Sequence, residues 1–462
     1  MIENIYIYHT NDIHSHFENW PRIHQYLIER KNEHVQNNET MFLFDIGDHT
    51  DRWHPFTEGT KGKGNTRLLN EAGYDAVTIG NNEGITFSFE ELNELYDDAS
   101  FDIIVGNLYK QNKHRPTWAQ PFKIYETNKQ IKIGVIGLTA NFAPFYNKLG
   151  WEITDPIEEL ERVISIMEHQ ADIILLLSHL GLPDDEVIAN RFPMIDVIIG
   201  GHTHHILEHG KIVNESLLCC AGKYGNFLGK IELQYDLKNK KLVNRNAILM
   251  SQQSLPPFDS EQRYIQELYE TGRTYLERPL AYLEEDLTIN WDQPSPLAKV
   301  LCKALLDWCE ADISFLNSGL LLNDLKKGVV TEYDIHNICP HPINPCVVYL
   351  TGAELKEVIV QTLDEKWAQL ELKGFGFRGE RLGVFVYEGM EVIGKGSSVK
   401  IMRNGISIDE QQTYKIAIPD LFGFAKFFPE IYRAREKEYL LPEFMRDLLK
   451  QKLSETYPYS KY

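Results

Sequence analysis

Short apolar runs that alternate with helical segments are the feature that most constrains the fold of the first half of this chain. Residues 132–138, 172–177 and 197–199 are apolar at most positions. Runs of this kind indicate strands buried on both faces, because a strand with one wet face alternates apolar and polar residues. Between two of these runs, residues 157–170 have apolar side chains at helical spacing. The first half is therefore predicted to be an α/β domain with helices packed outside a sheet.

A break in this pattern divides the chain of 462 residues. Leu255-Pro256-Pro257 ends a strand-like pair, and residues 259–277 then have the pattern of one amphipathic helix that ends before Pro279. A chain of this length has room for two domains. The predicted segments are an α/β domain at 1–255, a linker helix within 256–278 and a smaller α+β domain at 279–462.

The acidic composition argues against two classes of partner. The chain has 47 Lys and Arg against 67 Asp and Glu, a formal net charge of −20. Such a negative field repels nucleic acid and anionic membranes, and no apolar run reaches the roughly 18 residues of a membrane-spanning helix. We therefore predict no nucleic-acid partner and no membrane partner, and no feature points to an obligate protein partner. An anionic substrate would need bound metal ions to overcome the field locally.

The N-terminal residues and the cysteines predict a cytoplasmic protein. Residues 1–6 contain no basic region, long apolar segment or small-residue cleavage site. Six cysteines in a chain of this size do not suit a disulfide framework. Cys339 and Cys346, with His336 and His341 nearby, leave a metal knuckle open as an alternative, although the C-x2-C spacing of structural zinc sites is missing.

Five of the strand-like runs are followed within a few residues by side chains that bind metals. The carboxyl ends of parallel strands share one edge of an α/β sheet, so these side chains are expected to converge. The predicted metal ligands are Asp12, His14, Asp48, Asn81, His179, His202 and His204. Seven donors exceed the four of a closed zinc site, and one carboxylate can bridge two ions about 3.5–4 Å apart. We therefore predict two divalent metal ions, and these donors suit Mn, Zn or Fe.

The spacing inside two of the motifs adds a geometric expectation. Asp12 and His14 lie two residues apart, as do His202 and His204, and on an extended segment such pairs point the same way. Two divalent ions keep a net positive charge after Asp12, Asp48 and a bridging hydroxide cancel part of it. A lone histidine at a strand end is usually an ordinary polar residue, but five such segments in this order make accident a poor explanation.

These segments in this order resemble the signature of the calcineurin-like metallophosphoesterases. The matching segments are Asn11-Asp12-Ile13-His14, Gly47-Asp48, Gly80-Asn81-Asn82-Glu83, Ser178-His179 and Gly200-Gly201-His202-Thr203-His204. The longer form Thr10–His16 is similar to the bacterial 5′-nucleotidase / UDP-sugar hydrolase family, as are Asn317–Gly319 and Val347–Lys356 in the second domain. The resemblance implies a four-layer α/β/β/α sandwich, a linker helix and a smaller substrate-recognition domain.

The resemblance also implies a ligand set for each ion. By position it assigns one metal to Asp12, His14, Asp48 and His204, and the other to Asp48, Asn81, His179 and His202. Asp48 would bridge the two ions, and a metal-bridging water or hydroxide would attack phosphorus in line. The metals would hold the phosphoryl oxygens and neutralise charge in the transition state.

One departure from the family pattern concerns the leaving group. The family usually has a His at the position of Asn82 and an Asp at that of Ile85, and both are absent here. Asn82, the predicted catalytic residue, can donate a hydrogen bond but cannot supply a proton near neutral pH. His49, His54 and His205 lie in or beside the same loops and are alternative acids.

A second departure lies in the C-terminal domain. Leu320–Leu322 replaces the family's Arg region, and Phe422–Pro429 stands where a glycine-rich segment would be. Phe377, Arg378 and Phe428 are the predicted substrate-binding residues. The alternative is that both phenylalanines belong to the core, which is the commoner fate of such side chains.

The sequence thus predicts a metal-dependent phosphatase similar to the 5′-nucleotidases. Its substrate would be a small phosphorylated metabolite, above all a nucleotide or a nucleotide diphosphate derivative. Two alternatives remain open at this point. One is a catalytically weak, metal-dependent phosphometabolite-binding protein that has lost turnover with the His-Asp dyad, and the other is a phosphodiesterase.

Overall fold

The computed structural model describes residues 1–257, 259–394 and 396–459. It divides into two compact units, residues 1–272 and 273–462. The division falls inside the helix Glu261–Leu276, within the segment predicted as a linker. One residue of that predicted segment, Phe258, and the last three of the predicted second domain lie outside the described residues.

Two sheets form the centre of the first unit. The seven-stranded sheet contains, in spatial order, Lys241–Ser251, Phe227–Asp236, Ile2–Thr10, Thr40–Asp45, Ala76–Val77, Asp102–Ile104 and Ala119–Gln120. The six-stranded sheet contains Lys211–Val213, Ser216–Cys220, Val197–Gly200, Ile173–His179, Lys132–Thr139 and Phe122–Glu126. Leu108–Lys110 and Trp151–Ile153 form a separate antiparallel pair. The central strands of both large sheets run parallel, as their apolar runs predict.

The two sheets pack face to face. Ile7 and Phe44 of the first sheet share one apolar core with Val135 and Leu175 of the second. The other face of the second sheet packs on a helix through Leu160. The helices of this unit are Trp20–Gln36, Pro55–Thr60, Lys63–Ala72, Asn81–Thr86, Phe89–Glu94, Ala143–Lys148, Pro156–Met167, Leu182–Arg191 and the start of Glu261–Leu276. The predicted four-layer α/β/β/α sandwich is confirmed.

The register of the parallel strands brings their ends level. Thr10 lies opposite Asp45, and Asp45 lies opposite Val77. In the second sheet Ser178 lies opposite Gly200. The loops that follow these strands therefore leave each sheet at the same edge, where ligands bind in sheets of this kind.

The second unit is an α+β domain. Its five-stranded sheet contains, in spatial order, Phe385–Glu388, Ile313–Asn317, Thr413–Pro419, Pro345–Thr351 and Lys437–Tyr439. Smaller sheets pair Pro279–Leu283 with Gly328–Thr331, and join Glu391–Ile393, Lys400–Arg403 and Ile406–Ser407. Its α-helices are Pro296–Trp308, Glu332–Ile338, Gly352–Thr362, Leu421–Phe424, Pro429–Arg433 and Met445–Thr456. The predicted mixed character of the second domain is confirmed.

The cysteines are all free and all buried. The alternative of a metal knuckle near Cys339 and Cys346 fails at His341, because both of its ring nitrogens are occupied. Nε2 lies 3.1 Å from the carbonyl oxygen of Leu320, and Nδ1 accepts from the backbone N–H of Arg378 at 2.9 Å. Within the described ranges, the protein has no helix with the length and apolar character needed to span a bilayer.

Candidate metal centre

All seven predicted metal ligands lie at or just after the carboxyl ends of five strands. In chain order these ends carry Asp12 and His14, then Asp48, then Asn81, then His179, and finally His202 and His204. The first three strands belong to the seven-stranded sheet and the last two to the six-stranded sheet. The backbone N–H of His202 donates to Asp12 across the two sheets at 3.0 Å. The ends of both sheets therefore meet at one place.

The backbone at this place is left-handed rather than extended. Positive φ angles occur at Asp12 (53°), His14 (50°), Asp48 (52°), His202 (69°) and His204 (57°). The expectation that Asp-x-His and His-x-His lie on extended segments is therefore wrong. Tight turns bring the paired side chains together, and Asp and His are among the residues that adopt this region most readily. Hydrogen bonds hold the turns, such as that from His14 N–H to the Asp48 carbonyl at 2.8 Å.

Asp12, His14 and His204 form the first group of donors. His14 Nε2 lies 3.2 Å from His204 Nε2 and 3.7 Å from Asp12 Oδ1, and His204 Nε2 lies 3.3 Å from the same Asp12 oxygen. Asn11 supports the carboxylate by donating from its amide to Asp12 Oδ2 at 2.8 Å. One ligand atom from each of the three residues lies within 4.8 Å of the others, which is close enough to share an ion.

Asp48 lies between the first group and a second one. Its Oδ2 atom is 3.6 Å from His14 Nε2 and 3.4 Å from His179 Nε2. Asp12, Asp48 and His179 also have ligand atoms within 4.8 Å of one another. His179 Nδ1 lies 2.7 Å from the Ile46 carbonyl oxygen, to which it can only donate. That bond leaves Nε2, which faces Asp48, as the nitrogen that would bind an ion after losing its proton.

Asn81 and His202 complete the arrangement. Asn81 Oδ1 lies 2.9 Å from His202 Nδ1. The rings of His202 and His179 have centroids 5.3 Å apart. The structure thus brings all seven predicted ligands into one region, with Asp48 near its middle.

The charges of the buried groups are strongly coupled. Burial alone would raise the pKa of Asp48, but the nearby His179 and His14 hold it below its usual range. Burial likewise opposes ionisation of His179, yet Asp48 and Asp12 raise its pKa to about 10. His202 is different, because burial and the charge of His179 lower its pKa to about 4. The carboxylates are therefore ionised and able to act as ligands across the neutral range.

Glu83 joins the loops that carry the ligands, a role that its place in the motif did not predict. Its buried carboxylate accepts from the backbone N–H groups of Asp48, Thr50 and Gly80 and from the Thr50 hydroxyl, each at 2.8 Å. It therefore fixes the loop of Asp48 against the loop of Asn81. No periodicity or spacing in the sequence could have indicated these four bonds.

The outward nitrogen of His14 has two neighbours. Asp51 Oδ2 lies 3.2 Å from Nδ1, and Asn82 Nδ2 lies 2.9 Å from the same atom. Asn82 also donates its backbone N–H to Asp48 Oδ1 at 2.7 Å. The predicted catalytic residue is thus placed against a predicted ligand. Asp51 was not singled out from the sequence, and its position three residues after Asp48 is the signal that could have found it.

The structure favours none of the three alternative acids. His49 is buried with its ring centroid 5.0 Å from that of Trp20, and burial lowers its pKa to about 3, so it is not protonated at neutral pH. His54 accepts from the backbone N–H of Phe56 at 3.1 Å and caps a helix. His205 is paired at 2.8 Å with the hydroxyl of Thr203.

The predicted aromatic substrate-binding residues lie in the core of the second unit. Phe428 is completely buried and Phe377 is 3% exposed, and both belong to the same apolar cluster. Phe377 stacks on His341 with ring centroids 5.1 Å apart. Arg378 is half-buried and bonds through Nη1 to the Phe377 carbonyl at 3.2 Å. Neither phenylalanine presents a face to a ligand in this structure, as the alternative of core packing predicts.

The comparisons with known proteins agree with this architecture. Residues 5–205 match the family described as calcineurin-like phosphoesterase, and residues 277–424 match the 5′-nucleotidase C-terminal domain. An uncharacterized metallophosphoesterase of Bacillus subtilis, YunD, is 45% identical over 462 residues, covering 98% of this chain and 100% of the relative. The chain belongs to the calcineurin-like metallophosphoesterases. It therefore belongs to a family of metal-dependent phosphoester hydrolases.

This metallophosphoesterase is also similar, at lower identity, to proteins named as nucleotide phosphoesterases or 5′-nucleotidases. The trifunctional nucleotide phosphoesterase YfkN of Bacillus subtilis is 24% identical over 77% of this chain, which spans 27% of that longer protein. A Staphylococcus aureus protein described as a candidate 5′-nucleotidase, solved with α-ketoglutarate, has a TM-score of 0.70 and 20% identity. The structural match covers 99% of this chain and 98% of the other, so the fold extends over both units.

Proposed function

We propose that this metallophosphoesterase is a dinuclear-metal hydrolase of small phosphorylated metabolites. One observation carries the proposal, which is the position of Asp48 Oδ2 between His14 Nε2 at 3.6 Å and His179 Nε2 at 3.4 Å. A carboxylate placed between two imidazole nitrogens is positioned to bridge two ions. One ion would be held by Asp12, His14, Asp48 and His204, and the other by Asp48, Asn81, His179 and His202.

The residues present fit such a pair of ions. Among the described residues, no side chain or backbone group makes a hydrogen bond of ordinary geometry with the buried His179 Nε2, although Asp48 Oδ2 lies 3.4 Å away, and a buried polar atom in this state is costly unless another group binds it. Its Nδ1 bond to the Ile46 carbonyl leaves Nε2 as the ring nitrogen available to an ion, which would displace the Nε2 proton. Four imidazoles, two carboxylates and an amide oxygen are donors that suit zinc, manganese or iron. The ions would supply a water of lowered pKa and positive charge for the phosphoryl oxygens.

The chain's own residues define what kind of leaving group suits the site. Asn82 can donate a hydrogen bond but cannot protonate a departing oxygen, and the other acids nearby are engaged elsewhere. General acid catalysis contributes about 10²–10⁴-fold, so poor leaving groups lose the most. The substrate is therefore proposed to be a nucleotide or a nucleotide diphosphate derivative, with preference for those whose leaving group is itself a phosphate and needs no proton. The likeness to nucleotide phosphoesterases supports the nucleotide part.

Metal analysis tests the ligand assignment directly. Purified protein is expected to bind two divalent ions per chain, and Asp48→Asn is expected to weaken both, because one carboxylate serves both ions. Asp420→Asn is the matched control, since Asp420 is also a buried carboxyl but belongs to the second unit. Binding of one ion at saturation, or loss of just one ion in Asp48→Asn, contradicts the bridging role.

A series of substrates tests the reaction. The kcat/KM of the manganese-loaded protein should fall steeply as the leaving-group pKa rises, so that diphosphates, diphosphate sugars and aryl phosphates are cut faster than nucleoside monophosphates. Asn82→His with Ile85→Asp should help the monophosphates most, because it restores an oriented imidazole. Equal rates for alkyl and aryl monophosphates in the wild type would show that another residue supplies the proton. Cyclic nucleotides in the same series test for phosphodiesterase activity.

A second candidate function has one observation in its favour. The side chain of Asn82 is 2.9 Å from His14, so it contacts a proposed metal ligand rather than a departing group. A protein that binds a phosphorylated metabolite with two metals and turns it over slowly would have this arrangement. Saturable binding of nucleotides without phosphate release, in protein with both ions bound, would favour this candidate.

We also propose that the chain works in a reducing compartment such as the cytoplasm. All six cysteines are free although they are spread over both units. Six free thiols per chain are expected on titration of denatured protein that was prepared anaerobically without reductant. Two or more missing thiols would contradict this location.

A further inference from the structure

The ring of His14 is in contact with two polar groups that make opposite demands on it. Asp51 Oδ2 lies 3.2 Å from Nδ1 and can only accept a hydrogen bond there. Asn82 Nδ2 lies 2.9 Å from the same nitrogen and can only donate. One nitrogen of a neutral imidazole either carries a proton or accepts one, so a single tautomer cannot satisfy both neighbours.

Metal binding at the other ring nitrogen of His14 determines which hydrogen bond can form at Nδ1. Nε2 faces Asp12, Asp48 and His204 at 3.7, 3.6 and 3.2 Å. An ion at this place binds the lone pair of Nε2, and the ring proton must then lie on Nδ1. That proton needs an acceptor, which Asp51 supplies. The side-chain amide of Asn82 can accept a hydrogen bond from the same proton only after a half-turn, which exchanges the positions of its nitrogen and oxygen.

We propose that Asp51 is a positioning residue that sets the tautomer of His14, and that Asn82 adjusts to it. Asp51 accepts the Nδ1 proton and keeps Nε2 free for metal. Asn82 turns its amide oxygen toward Nδ1 when the ion binds, and its NH2 group is released from His14. This inference rests on the dinuclear centre proposed above.

Asp51 is held firmly enough for this role. The residue is 1% exposed, and its backbone N–H donates to Ser15 Oγ at 2.8 Å. Its second oxygen, Oδ1, accepts from the backbone N–H of Trp53 at 3.3 Å. Trp53 in turn donates from Nε1 to the carbonyl oxygen of His14 at 2.8 Å. Asp51, Trp53 and His14 therefore form a closed set of contacts, in which Trp53 binds Asp51 through its backbone N–H and His14 through its indole.

Zinc binding to purified full-length protein tests the role of Asp51. Asp51→Leu removes the acceptor with little change in size and is expected to weaken binding of one zinc ion by about 10–100-fold, the usual effect of losing a partner of a metal-binding histidine. Asp51→Asn keeps an amide oxygen and should weaken binding less. Asp420→Asn controls for the loss of a buried carboxyl, and circular dichroism reports whether each variant is folded.

Nitrogen NMR of histidine-labelled protein gives a readout that a merely structural role would not change. In zinc-loaded wild type, His14 is expected to carry its proton on Nδ1 and to bind zinc through Nε2, with the signal assigned by its loss in His14→Gln. In Asp51→Asn the Nδ1 proton should exchange faster with solvent. Tighter zinc binding by Asp51→Asn than by Asp51→Leu supports the proposal.

The outcomes distinguish the proposed role of Asp51 from the dinuclear metal centre on which it rests. Failure of the wild type to bind two zinc ions overturns both the dinuclear centre and the role of Asp51. Two ions in the wild type, bound with the same affinities by folded Asp51→Leu, overturn the role of Asp51 alone. Zinc on Nδ1 of His14 in the wild type also overturns it.

Discussion

Gly80 is the residue at which a single added carbon should disturb the centre most directly. A Cβ atom at this position would lie 2.1 Å from Asp48 Oδ1, 2.5 Å from Asp48 N and 2.6 Å from His179 Cε1. The φ of Gly80 is −98°, a value that alanine also adopts. Gly80→Ala therefore acts through these contacts and not through backbone strain.

The expected magnitude follows from the distances. Ordinary van der Waals contact begins at 3.4 Å, so Asp48 or the added methyl group must move by more than about 1 Å. Metal–ligand distances hold to about 0.2 Å, and a misplacement of about 1 Å costs about 100-fold in rate. Overpacking of this kind also costs about 1–3 kcal/mol of stability. We expect weaker binding of both ions and a loss of about 100-fold in kcat/KM for any phosphoester that the wild type cleaves.

Isothermal titration with manganese and the rate of an aryl phosphate measure the two effects. Gly201→Ala is the matched variant, because its added Cβ would lie 3.0 Å from both Asp12 Oδ2 and His179 Nδ1. It should therefore have the same kind of effect at a smaller size. A folded Gly80→Ala protein that binds two ions with wild-type affinity, or an effect of Gly201→Ala larger than that of Gly80→Ala, would refute the reasoning.

Three further predictions concern other residues. Phe428→Ala should destabilise the protein by about 3–5 kcal/mol, since Phe428 is fully buried, whereas Phe375→Ala, at a ring that is 47% exposed, should change the melting temperature far less. A loss of substrate affinity without loss of stability in Phe428→Ala would instead indicate a binding role. Burial raises the pKa of Asp420 to about 8, so its protonated form favours the folded state, and the free energy of unfolding falls as pH rises from about 4 toward 8. Asp420→Asn should therefore gain stability relative to wild type at pH 9 but not at pH 4, and parallel melting curves at both values check this. Glu83→Gln should lower both the melting temperature and metal affinity, because an amide cannot accept all four hydrogen bonds that hold the two ligand loops, and unchanged values would contradict that role.

The place of the ligands could be predicted from sequence because it follows from a rule of parallel sheets. Each apolar run identifies a strand, and the polar residue after it must lie at the carboxyl edge. The conformation of the ligand loops could not be predicted in this way. Asp12 and His14 have left-handed φ angles because hydrogen bonds from other loops hold them, such as that from Tyr224 N–H to the Asp12 carbonyl at 2.7 Å. Partners that are distant in the chain leave no periodic signal.

The same limit explains errors at the ends of elements. Residues 89–98 have a sequence pattern that predicts one helix, but the helix ends at Glu94. The carbonyl oxygen of Leu95 accepts from the Thr66 hydroxyl at 2.8 Å, and that of Asp98 accepts from the Asn70 amide at 2.7 Å. Side chains of the neighbouring helix Lys63–Ala72 thus bind carbonyl groups that follow the end of this one. The roles of Asp51 and Asn82 against His14 were missed for a related reason, since contact across loops depends on the finished fold.

The left-handed turns at the ligands bear on how the protein would be supplied with metal. Backbone hydrogen bonds hold these turns, including those that involve Asp12, His14 and Asp48. Left-handed conformations of non-glycine residues are strained, and they persist because contacts with the surrounding fold hold them in place. An ion that departs would leave its ligands in place, so refilling would require no refolding. The chain could then be loaded after synthesis and reloaded with a different cation when the cell's supply changes, and metal availability would decide which ion it carries.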